Sequence, residues 1–198
     1  MNLPNKLTVL RILLVLVMII IMFFEIPGDV LGVPIKCIIL DIIFIIASIT
    51  DSLDGKIARK NNQITTFGKF LDPIADKILV VTAMIILVEM GRLPAWIPSI
   101  VIFREFVVSG YRLVVVQSDG KVIAANIWGK IKTTTQMIAI IVAFIDVNRF
   151  GALFTDGLTG FALVINIVTT LMMIVSVIAT IFSGWEYIKD GKDLLKDM

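Results

Sequence analysis

Four carboxylates make the first chemical statement in this chain. Asp51 and Asp54 stand three residues apart in "TDSLDGKIARK", and Asp72 and Asp76 stand four apart in "FLDPIAD". Either spacing puts both members of a pair on one face of a helix. In a helical hairpin turning near residue 63, Asp51 faces Asp76 and Asp54 faces Asp72, so at a rise of about 1.5 Å per residue the four groups converge in one small volume. Carboxylates held that close repel one another unless a cation neutralises them. Two divalent cations about 3.5–4 Å apart are the usual oxygen-ligated solution, and such pairs clamp phosphates undergoing in-line displacement. Gly55 and Ala58 keep the neighbouring face small enough for a large ligand to approach the backbone. Arg59, one turn on, is placed for bidentate contact with a phosphate, and Gly68 offers a second close approach at the start of the next helix. Any one Asp could equally be a solvated helix end or a partner for Lys56, Lys60 or Lys69. Four facing one another beside Gly, Ala and Arg fit that bland reading poorly.

The elements that must position these groups are membrane helices. The chain has 198 residues, 58% hydrophobic and 17% charged, with a mean hydropathy of +0.99, where soluble domains run nearer half apolar and a quarter charged. There is no histidine and a single cysteine, Cys37. This excludes a Ser-His-Asp triad, His-ligated zinc and a cysteine-cluster metal site, and leaves oxygen ligands for hard cations such as magnesium, manganese or calcium. Apolar stretches long enough for a bilayer run over about residues 7–24, 34–49, 70–90, 94–116, 130–145 and 159–185. The first lacks a small-residue cleavage site and is expected to span rather than to be removed. Of the 18 Lys and Arg, only Lys36, Arg92 and Arg149 fall at one set of helix ends and Arg104 lies mid-span; the rest gather at the other. The positive-inside rule then predicts an all-α membrane protein of six transmembrane helices, with both termini and the Asp-rich loop cytoplasmic. Residues 1–198 form a single membrane domain with no repeat and nothing that suggests a nucleic-acid partner. The tail "WEYIKDGKDLLKDM" is an exposed or interfacial helix end.

Charge also lies inside the spans, where it is costly and usually faces a cavity or a partner. Arg104 and Glu105 sit within the fourth span, and Arg112 follows two turns later. They suggest a cationic pocket for a phosphate-bearing ligand; the alternative is an Arg104–Glu105 contact with Arg112 snorkelling to the surface. The stretch "GKIKTTTQ" adds Lys130, Lys132, Thr133 and Gln136 at the cytoplasmic end of the fifth span, with the two lysines either in that pocket or anchoring the helix at the surface.

The pattern Asp51-x2-Asp54-Gly55-x2-Ala58-Arg59-x8-Gly68-x3-Asp72-x3-Asp76 resembles, without departure, the signature of the CDP-alcohol phosphatidyltransferases. The resemblance implies a six-helix membrane enzyme, generally a homodimer, that displaces CMP from a CDP-linked lipid with an alcohol. It implies two divalent cations, Mg2+ or Mn2+, on Asp51, Asp54, Asp72 and Asp76, with Asp76 also the general base. Asp51, Gly55, Ala58, Arg59 and Gly68 would line the cytidine diphosphate site. The looser stretches "NLPNKLTVLR" and "FREFVVSGYR" are similar to family members whose donor is CDP-diacylglycerol and whose acceptor is glycerol-3-phosphate. That implies acceptor phosphate contacts from Arg104, Arg112 and Lys130, and puts Asn5, Thr8 and Arg11 near the site, although Arg11 is equally a plain interfacial snorkel. Inositol-phosphate or serine as acceptor, and a divalent-cation transporter as a different class of protein, stay open. The expected location is a bacterial plasma membrane, with the site facing the cytoplasm.

Overall fold

The computed structural model describes the backbone over residues 2–60, 66–117 and 127–190, and the side chains there except at 3–4, 52–60, 66–67, 69–70, 112–117, 187–188 and 190. Six long helices carry the fold: α1 (Leu3–Met22), α2 (Ile35–Lys60), α3 (Thr66–Glu89), α4 (Trp96–Gln117), α5 (Ile127–Ile145) and α6 (Gly160–Asp190). Each covers one of the six apolar stretches. Helix α2 continues well past its apolar run, through the Asp motif to Lys60. The hairpin junction expected near residue 63 falls outside the described residues, between the end of α2 and the start of α3.

Helix α1 packs against α2 and α3, α2 also against α5, α5 along α6, and α4 joins the bundle chiefly through α6. Val15, Met18, Leu40, Phe44, Leu79, Met84, Leu87, Ile140, Phe144 and Met173 form one continuous buried cluster. Phe44 and Phe144 meet across it with ring centroids 6.3 Å apart. The distribution of polarity is the reverse of a soluble bundle. Arg11, Gln136, Asn166, Thr169, Thr170, Ser176, Thr180 and Ser183 are buried, whereas Phe103 and Phe106 are 70% and 75% exposed and Leu13, Ile20, Leu171 and Ile181 about half exposed. Apolar side chains facing outward and polar ones inward are what a hydrocarbon solvent selects. By length and composition, two helices among the described residues can cross a membrane, at Asn5–Met22 and Gly160–Glu186; apart from Arg11 on α1, the charges of the site lie on the other four.

The ends of the helices are closed by specific chemistry. Pro4 sits in the first turn of α1, where its missing N–H costs nothing. Between α1 and α2 lies a feature the sequence reading missed: a short antiparallel ladder of β1 (Asp29–Val30) and β2 (Val33–Pro34). Its turn residues Leu31 and Gly32 both have positive φ, the geometry of a tight hairpin turn that glycine adopts freely and leucine only under strain. Gly91 takes a positive φ of 70°, and the amides of Arg92 and Leu93 return to the carbonyl of Leu87 to close α3.

Two cations that the sequence offers only as topology markers have structural work at this end. The Lys36 ammonium donates to the carbonyl of Met22, the last residue of α1. The buried Arg92 guanidinium donates to the carbonyls of Ala143 (3.2 Å) and Phe144 (2.6 Å), in the last turn of α5, and to the Cys37 sulfur (3.0 Å). Both place positive charge on the negative end of a helix dipole. Beyond α5, buried Asp146 accepts from the side chains of Asn148 and Asn166, and the Asn166 carbonyl oxygen accepts from the amide of Leu153 in a 3-10 turn at Ala152–Phe154. In the same loop the Thr155 hydroxyl and the Arg149 guanidinium hold the Asp156 carboxyl below its ordinary value. Replacing Arg92 with Ala leaves two buried carbonyls without their donor and is expected to cost about 2–3 kcal/mol. A lowered Tm in detergent, with activity retained at low temperature, would show this; an unchanged Tm would deny Arg92 the role.

Candidate active site

Two of the described motif carboxylates, Asp51 at the C-terminal part of α2 and Asp72 at the N-terminal part of α3, meet α1. Asp51 lies 2.7 Å from the Arg11 guanidinium, with Arg11 fully buried and the Asp51 side chain 37% exposed. Asp72 accepts a 2.6 Å hydrogen bond from the Thr8 hydroxyl. Asn5, Thr8 and Arg11 are all buried, spaced three apart so that one face of α1 meets both acidic helices. Arg11 is therefore a partner of the site and not a surface snorkel. Burial pushes the Asp51 carboxyl above its ordinary value, with Arg11 opposing the rise and Asp72 adding to it. Asp76 is within electrostatic reach of Asp51, Lys132, Arg11 and Glu105.

Pro73, inside α3, has no N–H for the carbonyl four residues back, so the helix ladder opens beside Asp72. Gly68 is buried. The side chains of Asp54, Arg59 and Arg112 lie outside the described residues, as do Gly55 and Ala58 beyond their place on α2.

The donor set suits hard divalent cations: Asp51 with Asp72 close enough to raise its cost of ionisation, and no histidine anywhere in the chain. Among the described residues no three acidic or cysteine side chains converge closely enough to hold an ion alone. Asp54, the remaining member of the motif, would have to contribute.

On the other side of Asp76 is a cavity of about 590 Å³, bounded by α3, α4, α5 and α6, within the range of about 300–1,000 Å³ common for small-molecule sites. Asp76, Lys77, Arg104, Glu105, Lys130 and Lys132 supply its charge. The Glu105 carboxylate accepts from Arg104 at 2.8 Å and from Lys132 at 2.6 Å, and lies 3.7 Å from the Lys77 ammonium. Arg104 also donates to the Ser183 hydroxyl of α6, and a Cβ on the adjacent Gly184 would meet the Arg104 side chain at 3.3 Å. Lys77 donates to the Ser109 hydroxyl.

The Arg104–Glu105 contact weighed above as an alternative to a pocket is thus present, and it forms the pocket wall. Lys132 is buried inside that wall and is no surface anchor, whereas Lys130 is exposed at the cavity rim. Sequence reasoning did not single out Lys77, Ser109, Ser183 or the role of Glu105. Lys77 was visible only as one of the cations at its set of helix ends and Glu105 only as a neighbour of Arg104; Ser109 of α4 and Ser183 of α6 left no signal.

This helical bundle combines apolar helices, an Asp motif and a cationic cavity beside Asp76. The chain matches the CDP-alcohol phosphatidyltransferase family over residues 1–183 and belongs to it. Three bacterial relatives share the name CDP-diacylglycerol–glycerol-3-phosphate 3-phosphatidyltransferase. That of Bacillus subtilis is 44% identical over 98% of this chain and 97% of its own. That of Haemophilus influenzae is 34% identical over 99% and 96%, and that of Rickettsia typhi 34% over 96% and 97%.

Proposed function

We propose that this protein transfers the phosphatidyl group of CDP-diacylglycerol to glycerol-3-phosphate, giving phosphatidylglycerophosphate and CMP. The observation that carries the acceptor is the cavity beside Asp76, where Lys77, Arg104, Lys130 and Lys132 outnumber the two carboxylates and so favour an alcohol that bears a phosphate. In this reading all six helices of the single domain, residues 1–198, cross the plasma membrane of a bacterium. Both termini and the site face the cytoplasm, and the protein works as a homodimer.

Two divalent cations, Mg2+ or Mn2+, would be held by Asp51, Asp54, Asp72 and Asp76, and when bound they would offset the charge that develops on the pyrophosphate oxygens. The rest is the work of the chain. Gly55, Ala58 and Gly68 leave room for the cytidine diphosphate, and Arg59 binds its phosphates. Arg104, Arg112 and Lys130 hold the acceptor phosphate, joined by Lys77 and Lys132. Asp76 takes the proton of the primary hydroxyl; that oxygen bonds to the phosphorus carrying diacylglycerol, and the bond from this phosphorus to the CMP oxygen breaks. Thr8 and Arg11 hold Asp72 and Asp51 in place. The buried guanidinium on Asp51 also argues against the divalent-cation transporter considered from the carboxylates alone, since a fixed positive charge opposes cation entry.

The test is CMP release by the purified protein in detergent, from CDP-diacylglycerol with Mg2+ or Mn2+, with glycerol-3-phosphate, inositol-phosphate or serine supplied separately. Release with glycerol-3-phosphate alone is the expected result. Release with serine would overturn the phosphate-binding reading of the cavity, and release with inositol-phosphate would change only the alcohol.

A further inference from the structure

We propose that Glu105 is the positioning residue of the acceptor site: one partly buried carboxylate that gathers cations from three helices into a single seat for the acceptor's phosphate. The inference rests on the proposed use of the cavity for a phosphorylated acceptor and adds how that seat is built. One carboxylate oxygen receives both the Arg104 guanidinium of α4 and the Lys132 ammonium of α5. The other oxygen faces the Lys77 ammonium of α3.

Lys77 is tied a second time. It donates to the Ser109 hydroxyl, which donates in turn to the main-chain carbonyl of Glu105 at 2.6 Å. All four side chains, Lys77, Arg104, Glu105 and Lys132, line the same cavity. Like charges on three separate helices would drift apart in a site of low dielectric; bonded to one carboxylate they stay together. Each cation gives only part of its donor set to Glu105, because a guanidinium has five N–H donors and an ammonium three. The cavity stays net positive, with Lys77, Arg104, Lys130 and Lys132 against Asp76 and Glu105, which suits a phosphate dianion better than a neutral alcohol. Glu105 touches no reacting atom in this scheme. It acts through the three cations.

The test compares wild type, Glu105→Gln, Glu105→Asp and Ser109→Ala as full-length protein in detergent, varying glycerol-3-phosphate and CDP-diacylglycerol in turn. Glu105→Gln keeps the shape and loses the charge. Its KM for glycerol-3-phosphate should rise about tenfold or more, the loss expected for a charge-assisted contact, with the KM for CDP-diacylglycerol held within about twofold. Glu105→Asp should recover part of the loss, and Ser109→Ala, which frees only Lys77, should raise the acceptor KM a few fold; the latter decides the matter if Glu105→Gln does not fold.

An unchanged or lowered acceptor KM in Glu105→Gln would overturn the inference, and so would an equal rise in both KM values. If the wild type itself releases CMP only with an unphosphorylated alcohol, the reading of the cavity fails instead, before any variant is compared.

Discussion

Asp76→Asn is expected to lower turnover by about 10²–10⁴-fold, the usual worth of a positioned general base, without unfolding the protein. Asp76 lies between the two halves of the site: it senses Asp51 on one side and lines the cationic cavity on the other. A base must stand where the nucleophile's hydroxyl and the electrophilic phosphate meet, and of the three described motif carboxylates only Asp76 borders both regions. Asparagine keeps the shape and one acceptor oxygen but cannot take a proton at neutral pH. The measurement is single-turnover CMP release alongside Mn2+ binding. Metal binding largely kept and turnover lost is the expected pair; near-normal turnover would move the base to another group.

The second large effect separates Asp51 from Asp72. Alanine at either position should abolish CMP release, since each removes a candidate metal ligand. Their effects on the fold should differ. Asp51→Ala takes the carboxylate from the fully buried Arg11 guanidinium, 2.7 Å away. Breaking a buried pair in this way costs about 3–5 kcal/mol, and with the Asp51 side chain 37% exposed about 1–3 kcal/mol is expected after solvent screening. Among the described residues, the hydrogen bond that Asp72→Ala removes is that from the Thr8 hydroxyl, worth about 1 kcal/mol. Thermal unfolding in detergent should therefore show Asp51→Ala below Asp72→Ala while both are inactive. Equal Tm values would mean that the Arg11 pair does not hold α1 to α2.

The Asp motif and the six helices were legible because both are local. An apolar run of bilayer length and a three- or four-residue spacing are properties of one helix, and both can be read without knowing how the helices pack. The short ladder at Asp29–Pro34 was not legible: only two residue pairs form it, and strained Leu31 is no turn signal. Lys36, Arg92, Lys77 and Lys132 were visible as charges and unreadable as contacts. Nothing in their positions along the chain says that two of them cap α1 and α5 or that the other two converge on Glu105.

The sequence by itself determined the family and the all-helical class, and it carries the expectation of carboxylate chemistry in a bilayer. Residue types at short spacings and overall hydropathy suffice for these, since helix periodicity converts spacing directly into geometry. Only the tertiary structure decided that Arg11 and Thr8 belong to the carboxylates, that Asp76 borders both halves of the site, and that Lys77, Arg104 and Lys132 share one glutamate. Those contacts join residues tens of positions apart on helices whose rotation and tilt are set by packing in the whole bundle, a quantity that no single stretch of the chain encodes.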